Sequence, residues 1–155
     1  AASNENKLAA AKRAGADHLI NYSEGNIREK IKNIVGSSGI DVLYDPVGGE
    51  LFEPCLRSLA WGGRALVIGF ASGTIPKLPT NLTLVKGCSV VGVFWGAFRI
   101  KETEEDNKNF EILFKWFKEK KVSPLVSQKF SLENAKEALL TLATRKAIGK
   151  VIITP

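Results

Sequence analysis

Apolar runs of strand length alternate with segments of helical periodicity along this chain. Three of the runs have the continuous apolar, β-branched composition of strands that are covered on both faces. They are Ile40–Asp45, residues 64–70 and residues 88–95. Parallel neighbouring strands need a crossover connection of helical length, and such crossovers are right-handed. The alternation therefore predicts a doubly wound α/β fold with a parallel sheet and helices on both of its faces.

Apolar spacing and end signals place the remaining elements. A helix is predicted at residues 4–14, where Gly15 ends it, and a second helix that Ser23 caps runs to Val35. The other predicted elements are helices at 50–59, at 102–121 and from Ser131 onward, strands at 18–22 and 149–153, and a loop at 71–83. The helix at 102–121 is amphipathic, because its phenylalanines fall on one side.

Composition limits the class of protein. The chain has 155 residues, of which 45% are hydrophobic and 25% charged, as in an ordinary globular domain. No apolar run reaches 18 residues, so we expect no membrane span. Residues 1–7 lack the pattern of a secretory signal. The net charge of +6 is spread among acidic residues and does not form one block, which favours a solvated surface over nucleic acid, although a local anion site remains open.

The two cysteines bear on the compartment and the metal content of the protein. Cys55 and Cys88 form no Cys-x-x-Cys pair, and His18 is the one histidine that could join them. We therefore expect no structural zinc, and each cysteine is interpreted as a small core residue. Unpaired cysteines fit a reducing compartment, so we expect a cytoplasmic protein, with the mitochondrion as the alternative.

Small residues follow several predicted strands. Pro-Val-Gly-Gly follows Asp45, Gly-Phe-Ala-Ser-Gly follows Ile68 and Phe-Trp-Gly follows Val93. Ligands of such sheets lie beyond the carboxyl ends of the strands, where glycine lets the backbone approach a ring or a pyrophosphate closely. Each glycine taken alone is also explained by ordinary turn chemistry.

Several ordered motifs together resemble a known family. They are residues 15–22 (GADHLINY), residues 39–49 (GIDVLYDPVGG), residues 59–64 (LAWGGR) leading to Gly69-Phe70, and residues 149–151 (GKV). In this order and spacing the chain resembles the medium-chain dehydrogenase/reductase superfamily, and within it the zinc-free quinone oxidoreductases. The resemblance covers essentially the whole chain. It implies hydride transfer from NADPH to a quinone or another conjugated carbonyl.

The resemblance also implies a cofactor site in two parts. Ser3 and Lys7 in the first loop, with Tyr22 and Arg145, would hold the adenosine ribose and its phosphate. Residues 1–3 carry no carboxylate of the kind that binds the ribose of NAD, which favours NADPH, whereas Glu5 would weaken the phosphate site unless it points outward. The nicotinamide half would be bordered by Val47, Gly48, Gly69, Phe70, Phe94 and Trp95.

Each of these residues also has a structural interpretation. Lys7 and Arg145 could be solvated surface charges, and Tyr22 could be half-buried strand surface. Phe94 and Trp95 are equally well explained as core aromatics, and Trp61 is assigned to packing. No catalytic residue is identified.

The dinucleotide fingerprint Gly-x-Gly-x-x-Gly does not occur in the sequence. By the resemblance, the chain lacks the first strand and first helix of the fold. We expect residues 1–122 to be a partial nucleotide-binding domain, and residues 123–155 to pack with a catalytic domain in the full enzyme. Alone, the fragment should be inactive, and its unpaired sheet edges favour association, as a homodimer. An NADP(H)-binding module without catalysis and a nucleic-acid binder are the alternatives.

Overall fold

The computed structural model describes residues 1–155, which form two compact units, Ala1–Ala97 and Phe98–Pro155. The elements of the first unit are α1 (Glu5–Arg13), α2 (Ile27–Val35), β1 (Ile40–Asp45), α3 (Phe52–Leu56), β2 (Leu59–Val67), α4 (Asn81–Lys86) and β3 (Ser89–Gly92). Helix α5 (Trp95–Lys101) spans the division. The second unit contains α6 (Thr103–Lys118), β4 (Val126–Ser131), α7 (Ala135–Ala143) and β5 (Lys150–Thr154). The predicted division at residue 122 concerns the full enzyme and stays a prediction.

Every paired strand runs parallel to its neighbour. In the first unit the strand order is β1-β2-β3, and β4 pairs with β5 in the second unit. The register aligns Asp45 with Val67 and Val67 with Gly92, so the three strands of the first sheet end at one edge. The predicted α/β class with a parallel sheet is confirmed.

Helices α2, α3 and α4 form the core of the first unit together with β2. One buried cluster contains Phe52, Leu56, Leu59, Ala65 and Leu82. A second contains Ile27, Ile31 and Cys55. On the opposite face of the sheet, side chains of adjacent strands are exposed, including Tyr44 and Val91. The free energy of burial therefore comes from one face, where each large aliphatic side chain contributes about 1.5–3 kcal/mol.

Near the N-terminus the structure corrects two predictions. The strand predicted at 18–22 is a single bridge, in which the Ala2 N–H donates to Ile20 O at 2.9 Å and the Tyr22 N–H donates to Ala2 O at 3.1 Å. The segment at 18–22 forms no longer strand, because Ala2 is the one residue that pairs with it. Helix α2 is capped by Asn26, whose side chain accepts from the Arg28 N–H. Ser23 instead donates to Ser3 O.

Other boundaries also differ from prediction. The helix predicted at 50–59 is a short 3-10 turn followed by α3, and Leu59 already belongs to β2. Strand β2 ends at Val67, because the N–H groups of Ile68 and Gly69 both donate to Asp45 O. Helix α4 begins inside the predicted loop, and α5 begins where a strand end was predicted. Strand β4 was not predicted, and α7 begins at Ala135 after a second 3-10 turn.

In the second unit, α6 has the predicted apolar side. Phe110, Leu113, Phe114 and Phe117 line a recess of about 350 Å³ together with Val122 and Pro124. The buried Asp106 accepts a hydrogen bond from Arg99 at 3.2 Å within the same unit. None of the helices combines the length and the apolar character needed to cross a membrane.

Candidate functional site

A buried carboxylate organises the turn that follows β1. Asp45 is the last residue of the strand and is 8% exposed. Its Oδ1 accepts hydrogen bonds from the backbone N–H groups of Val47 at 2.9 Å and Gly48 at 3.0 Å. Two N–H groups that leave the sheet are thereby satisfied by one charged acceptor, which is the stronger class of hydrogen bond. The carboxylate fixes the path of the Pro-Val-Gly-Gly turn.

A second loop closes against this turn. The Ala71 N–H donates to Pro46 O at 3.0 Å, and the Ser72 N–H donates to Val47 O at 2.9 Å. Gly48 has a φ of +66°, and a Cβ built there would lie 2.9 Å from Cδ1 of Phe70. Glycine is therefore required at this position both by the backbone angle and by the aromatic ring. The structure brings Val47, Gly48, Gly69 and Phe70 together at the carboxyl edge of the sheet.

Tyr22 and Val47 line one cavity of about 340 Å³. Ala1 and Tyr22 border it on the side of the first bridge, while residues 43–47 border it on the side of β1. This volume lies within the range of about 300–1,000 Å³ that small-molecule sites occupy. The cavity thus joins a residue predicted for the adenosine phosphate to one predicted for the nicotinamide side.

Cys55 also lines the cavity, but it is poorly suited to nucleophilic chemistry. Burial, and secondly the charge of Asp45, raise the pKa of the Cys55 thiol to about 11. The nucleophile is the thiolate, so the thiol of Cys55 is unreactive near neutral pH. Its place in a buried cluster agrees with the core role predicted from the sequence.

The first turn of α1 lies beside the Ala2–Asn21 bridge. Asn4 caps the helix by accepting a hydrogen bond from the Lys7 N–H at 3.0 Å, and Ser3 accepts one from Ser23 through its carbonyl. The Asn21 side chain donates to Glu24 at 2.8 Å and to Glu5 at 3.4 Å. Glu5 is therefore held toward Asn21, the residue that precedes Tyr22. That Glu5 would weaken a phosphate site there stays a prediction.

Phe94 and Trp95 follow the end of β3 and are 78% and 53% exposed. The Val93 N–H donates to Val67 O at 2.9 Å, so the segment that leads to Phe94 and Trp95 leaves the sheet at its carboxyl edge. At these exposures, Phe94 and Trp95 are not core aromatics of this chain. Whether they contact a cofactor stays a prediction.

Arg145 belongs to the second unit and follows α7. It has a φ of +57°, a conformation that is uncommon outside glycine, and its N–H donates to Leu142 O at 3.0 Å. The N–H of the next residue, Lys146, donates to Thr141 O at 3.0 Å, so the two bonds close the end of the helix. That Arg145 joins Lys7 and Tyr22 around one phosphate stays a prediction.

Asp45 is the residue of this edge whose role the sequence did not reveal. It reads as the last residue of a strand, and its hydrogen bonds to the turn depend on the fold. A usable signal exists, since an acid directly before Pro-Val-Gly-Gly has two backbone N–H groups within reach. No three His, Cys, Asp or Glu side chains of residues 1–155 are grouped so that they could hold a metal ion.

The chain is similar to known proteins in both sequence and structure. It is 37% identical over 154 residues to quinone oxidoreductase-like protein 2 of Bos taurus, an alignment that covers 99% of this chain and 44% of the relative. The chain thus spans less than half the length of that relative.

Two solved structures share the fold over 99% of this chain. One is a quinone oxidoreductase of Pseudomonas syringae pv. tomato, with a TM-score of 0.85 at 24% identity over 47% of its own chain. The other is a mycobacterial protein complexed with NADPH, with a TM-score of 0.85 at 26% identity over 49% of its own chain. The first comparison shows the fold alone. The second relates the chain to a structure that holds a dinucleotide.

A family model gives the assignment. The model described as zinc-binding dehydrogenase matches residues 1–119, well over half of the chain. It includes the bridge at Asn21, the Asp45 turn and all three strands of the first sheet. The chain therefore belongs to the zinc-binding dehydrogenase family, within the medium-chain dehydrogenase/reductase superfamily.

Proposed function

We propose that this chain is the nucleotide-binding half of an NADPH-dependent oxidoreductase that reduces a quinone or another conjugated carbonyl. The observation that carries the proposal is the cavity at the carboxyl edge of the sheet, which Tyr22 and Val47 line together. Parallel sheets bind dinucleotides at this edge. The similar mycobacterial structure is complexed with NADPH, and the bovine relative is named quinone oxidoreductase-like protein 2.

The chain's own residues would position the cofactor. Gly48 and Gly69 keep the backbone beside Phe70 free of side chains, and the Asp45 carboxylate holds this turn in place. A bound NADPH supplies a hydride, and the acceptor takes that hydride together with one proton from solvent, so a quinone leaves as a hydroquinone. We assign no acid or base to this half of the protein.

Selectivity for the phosphate of NADPH is assigned to Lys7, Tyr22 and Arg145, together with Ser3 of the first loop. Residues 1–3 contain no carboxylate that would bind the ribose of NADH in its place. A cation and a phenol that both contact a dianion form charge-assisted hydrogen bonds, which are about twice as strong as neutral ones. The proposal thus predicts a preference that depends on the extra phosphate.

The test is NADPH oxidation by the full-length protein with a soluble quinone and a soluble enone. Lys7→Gln should raise the KM for NADPH about tenfold and leave that for NADH nearly unchanged, because one charge-assisted contact is lost. Tyr22→Phe should act in the same direction with a smaller effect. Lys12→Gln, in the last turn of the same helix, is the matched control.

Three results would contradict the proposal in different ways. Absence of turnover with every quinone and enone would remove the reductase function. NADPH binding at micromolar or better affinity without any hydride transfer would leave a cofactor-binding module, the second interpretation of the sequence. Equal effects of Lys7→Gln on both cofactors would remove the phosphate assignment alone.

We also propose that the protein is a homodimer. Strand β3 stands last in the strand order, and no other strand of the chain pairs with its outer edge. Unpaired edges of a sheet are templates for association with another chain. Sedimentation equilibrium of the full-length protein should give twice the monomer mass, and a monomer at all concentrations would contradict this.

The compartment is proposed from the two cysteines, which are both free in the structure. Free thiols fit the cytoplasm, with the mitochondrion as the alternative. Cell fractionation with an antibody to the full-length protein would separate the two. Recovery in a secreted fraction would contradict both.

A further inference from the structure

A small recess with basic walls lies at the amino end of the first sheet. It has a volume of about 200 Å³. Its walls include Gly39 just before β1, Leu59 at the start of β2 and Lys86 at the end of α4. The Asp45 turn lies at the other end of β1, about 20 Å away at the usual rise of a strand. The recess is therefore separate from the proposed cofactor edge.

Four cationic side chains line this recess and no acidic residue does. The four are Arg28, Lys32, Arg57 and Lys86. Glu53, which lies outside the recess, forms an ion pair with Arg57 at 2.6 Å. The side chains of Arg28, Lys32 and Lys86 have no ion pair or hydrogen bond within the chain. Three cationic residues that form no ion pair within the chain thus line one recess.

Stabilisation of helix ends accounts for only part of this arrangement. Lys32 and Lys86 lie in the last turns of α2 and α4, where a cation interacts favourably with the helix dipole. Arg28 lies in the first turn of α2, where a cation is unfavourable, and it stands four residues before Lys32. Like charges at this spacing are destabilising. An anion between them would relieve both unfavourable interactions.

We propose that this recess binds a small multivalent phosphate anion of the pyrophosphate type. Its volume is below the about 300–1,000 Å³ of sites that enclose larger ligands. It nevertheless exceeds the about 30 Å³ occupied by one water molecule several times over, which leaves room for two phosphate groups. Arg28 and Arg57 offer planar guanidinium groups that match phosphate oxygens, and Lys32 and Lys86 add point charges. The proposal does not rest on the identity of the cofactor.

Calorimetric titration of the full-length protein with pyrophosphate tests this site. The titration is made with saturating NADPH, so that the phosphate contacts of the cofactor edge are filled, and is repeated without NADPH. The double variant Lys32→Gln/Lys86→Gln should weaken pyrophosphate binding about tenfold or more, because two charge-assisted contacts are lost. Higher salt should also weaken pyrophosphate binding to the unchanged protein.

Lys115→Gln/Lys118→Gln is the matched control. These lysines lie in the last turn of α6 beside Glu111 and Glu119, so the same charge is removed at a similar helix position without a basic recess. Pyrophosphate affinity should stay within about twofold of the unchanged protein. Circular dichroism of both double variants checks that each is folded.

Several outcomes would overturn the proposal. These are absence of pyrophosphate binding, equal weakening in the two double variants, and binding that NADPH abolishes and Lys32→Gln/Lys86→Gln does not change. Binding of a single-stranded oligonucleotide that needs Lys32 and Lys86, without pyrophosphate binding, would overturn it in favour of nucleic acid. If NADPH itself fails to bind, the proposed function fails, but the titrations without NADPH still decide about the recess.

Discussion

Asp45 holds Gly48 in place, since its Oδ1 accepts the Gly48 N–H at 3.0 Å in addition to that of Val47. Asp45→Ala would leave two N–H groups of the turn without this charged acceptor. We expect the free energy of unfolding to fall by about 2–4 kcal/mol, as for the loss of two charge-assisted hydrogen bonds. Urea unfolding of the full-length protein measures it.

The same variant should also weaken NADPH binding, because Val47 lines the proposed cofactor cavity. Asp41→Ala is the matched control, since Asp41 is an exposed acid on the same strand. Asp45→Asn should restore part of the stability, because the amide oxygen can still accept both bonds. Equal stability of Asp45→Ala and Asp41→Ala would show that the carboxylate does not fix the turn.

Gly48→Ala tests the closeness of the two loops. The new Cβ would lie 2.9 Å from the Phe70 ring and 3.1 Å from Thr74 O, at a φ of +66°. Strained backbone of this kind costs about 1–3 kcal/mol, and the contact with backbone adds to it. We expect reduced stability and at least about tenfold weaker NADPH binding.

Gly73→Ala separates the two causes. Gly73 has a φ of +83°, but nothing lies within 4 Å of a Cβ placed there. It should therefore show the backbone cost without the loss of NADPH affinity. If Gly73→Ala weakens NADPH binding as much as Gly48→Ala does, the contact with Phe70 is not what shapes the site.

The strands and helices with one strong local pattern could be predicted from the sequence. Ile40–Asp45 is apolar and β-branched, and α1 has both an Asn cap and an ending glycine. Strand β4 (Val126–Ser131) was not predicted, because it mixes polar and apolar residues and pairs with a single neighbour. The strand at 18–22 was overestimated because its composition suits a strand, whereas its length depends on what lies beside it.

The candidate site was predictable to a similar degree. Its glycines stand directly after strands, so their shared edge follows from the parallel topology. The basic recess lined by Arg28, Lys32, Arg57 and Lys86 could not be foreseen, because it forms only when three helices pack together. The sequence offered a net charge of +6 and no indication of where it gathers.

Glu5 gives a prediction about cofactor preference. Its carboxylate is held 3.4 Å from the Asn21 amide, next to the proposed phosphate contact Tyr22. Glu5→Gln should tighten NADPH binding about two- to fivefold by removing a like charge near the surface, and should leave NADH binding unchanged. Fluorescence titration with both cofactors measures the effect.

Glu29→Gln is the control for Glu5→Gln, since Glu29 is an exposed acid in the first turn of α2. It removes the same charge away from the Ala2–Asn21 bridge. NADPH affinity that rises equally in both variants would indicate a general charge effect. A gain that Glu5→Gln alone produces, at low and not at high salt, would support a local one.

Cys55 gives a prediction about pH. Because burial and the charge of Asp45 raise its pKa to about 11 from an ordinary 9.0, less thiolate is present at every pH below 11 than in an unfolded chain. Thiolate is the reactive form, so alkylation of native Cys55 at pH 8 should be about a hundredfold slower than in urea. The native rate should keep rising between pH 9 and 11, where the rate in urea levels off. Mass spectrometry of the Cys55 peptide after iodoacetamide treatment measures both rates, and a native rate that levels off near pH 9 would contradict reaction from the folded state with a raised pKa.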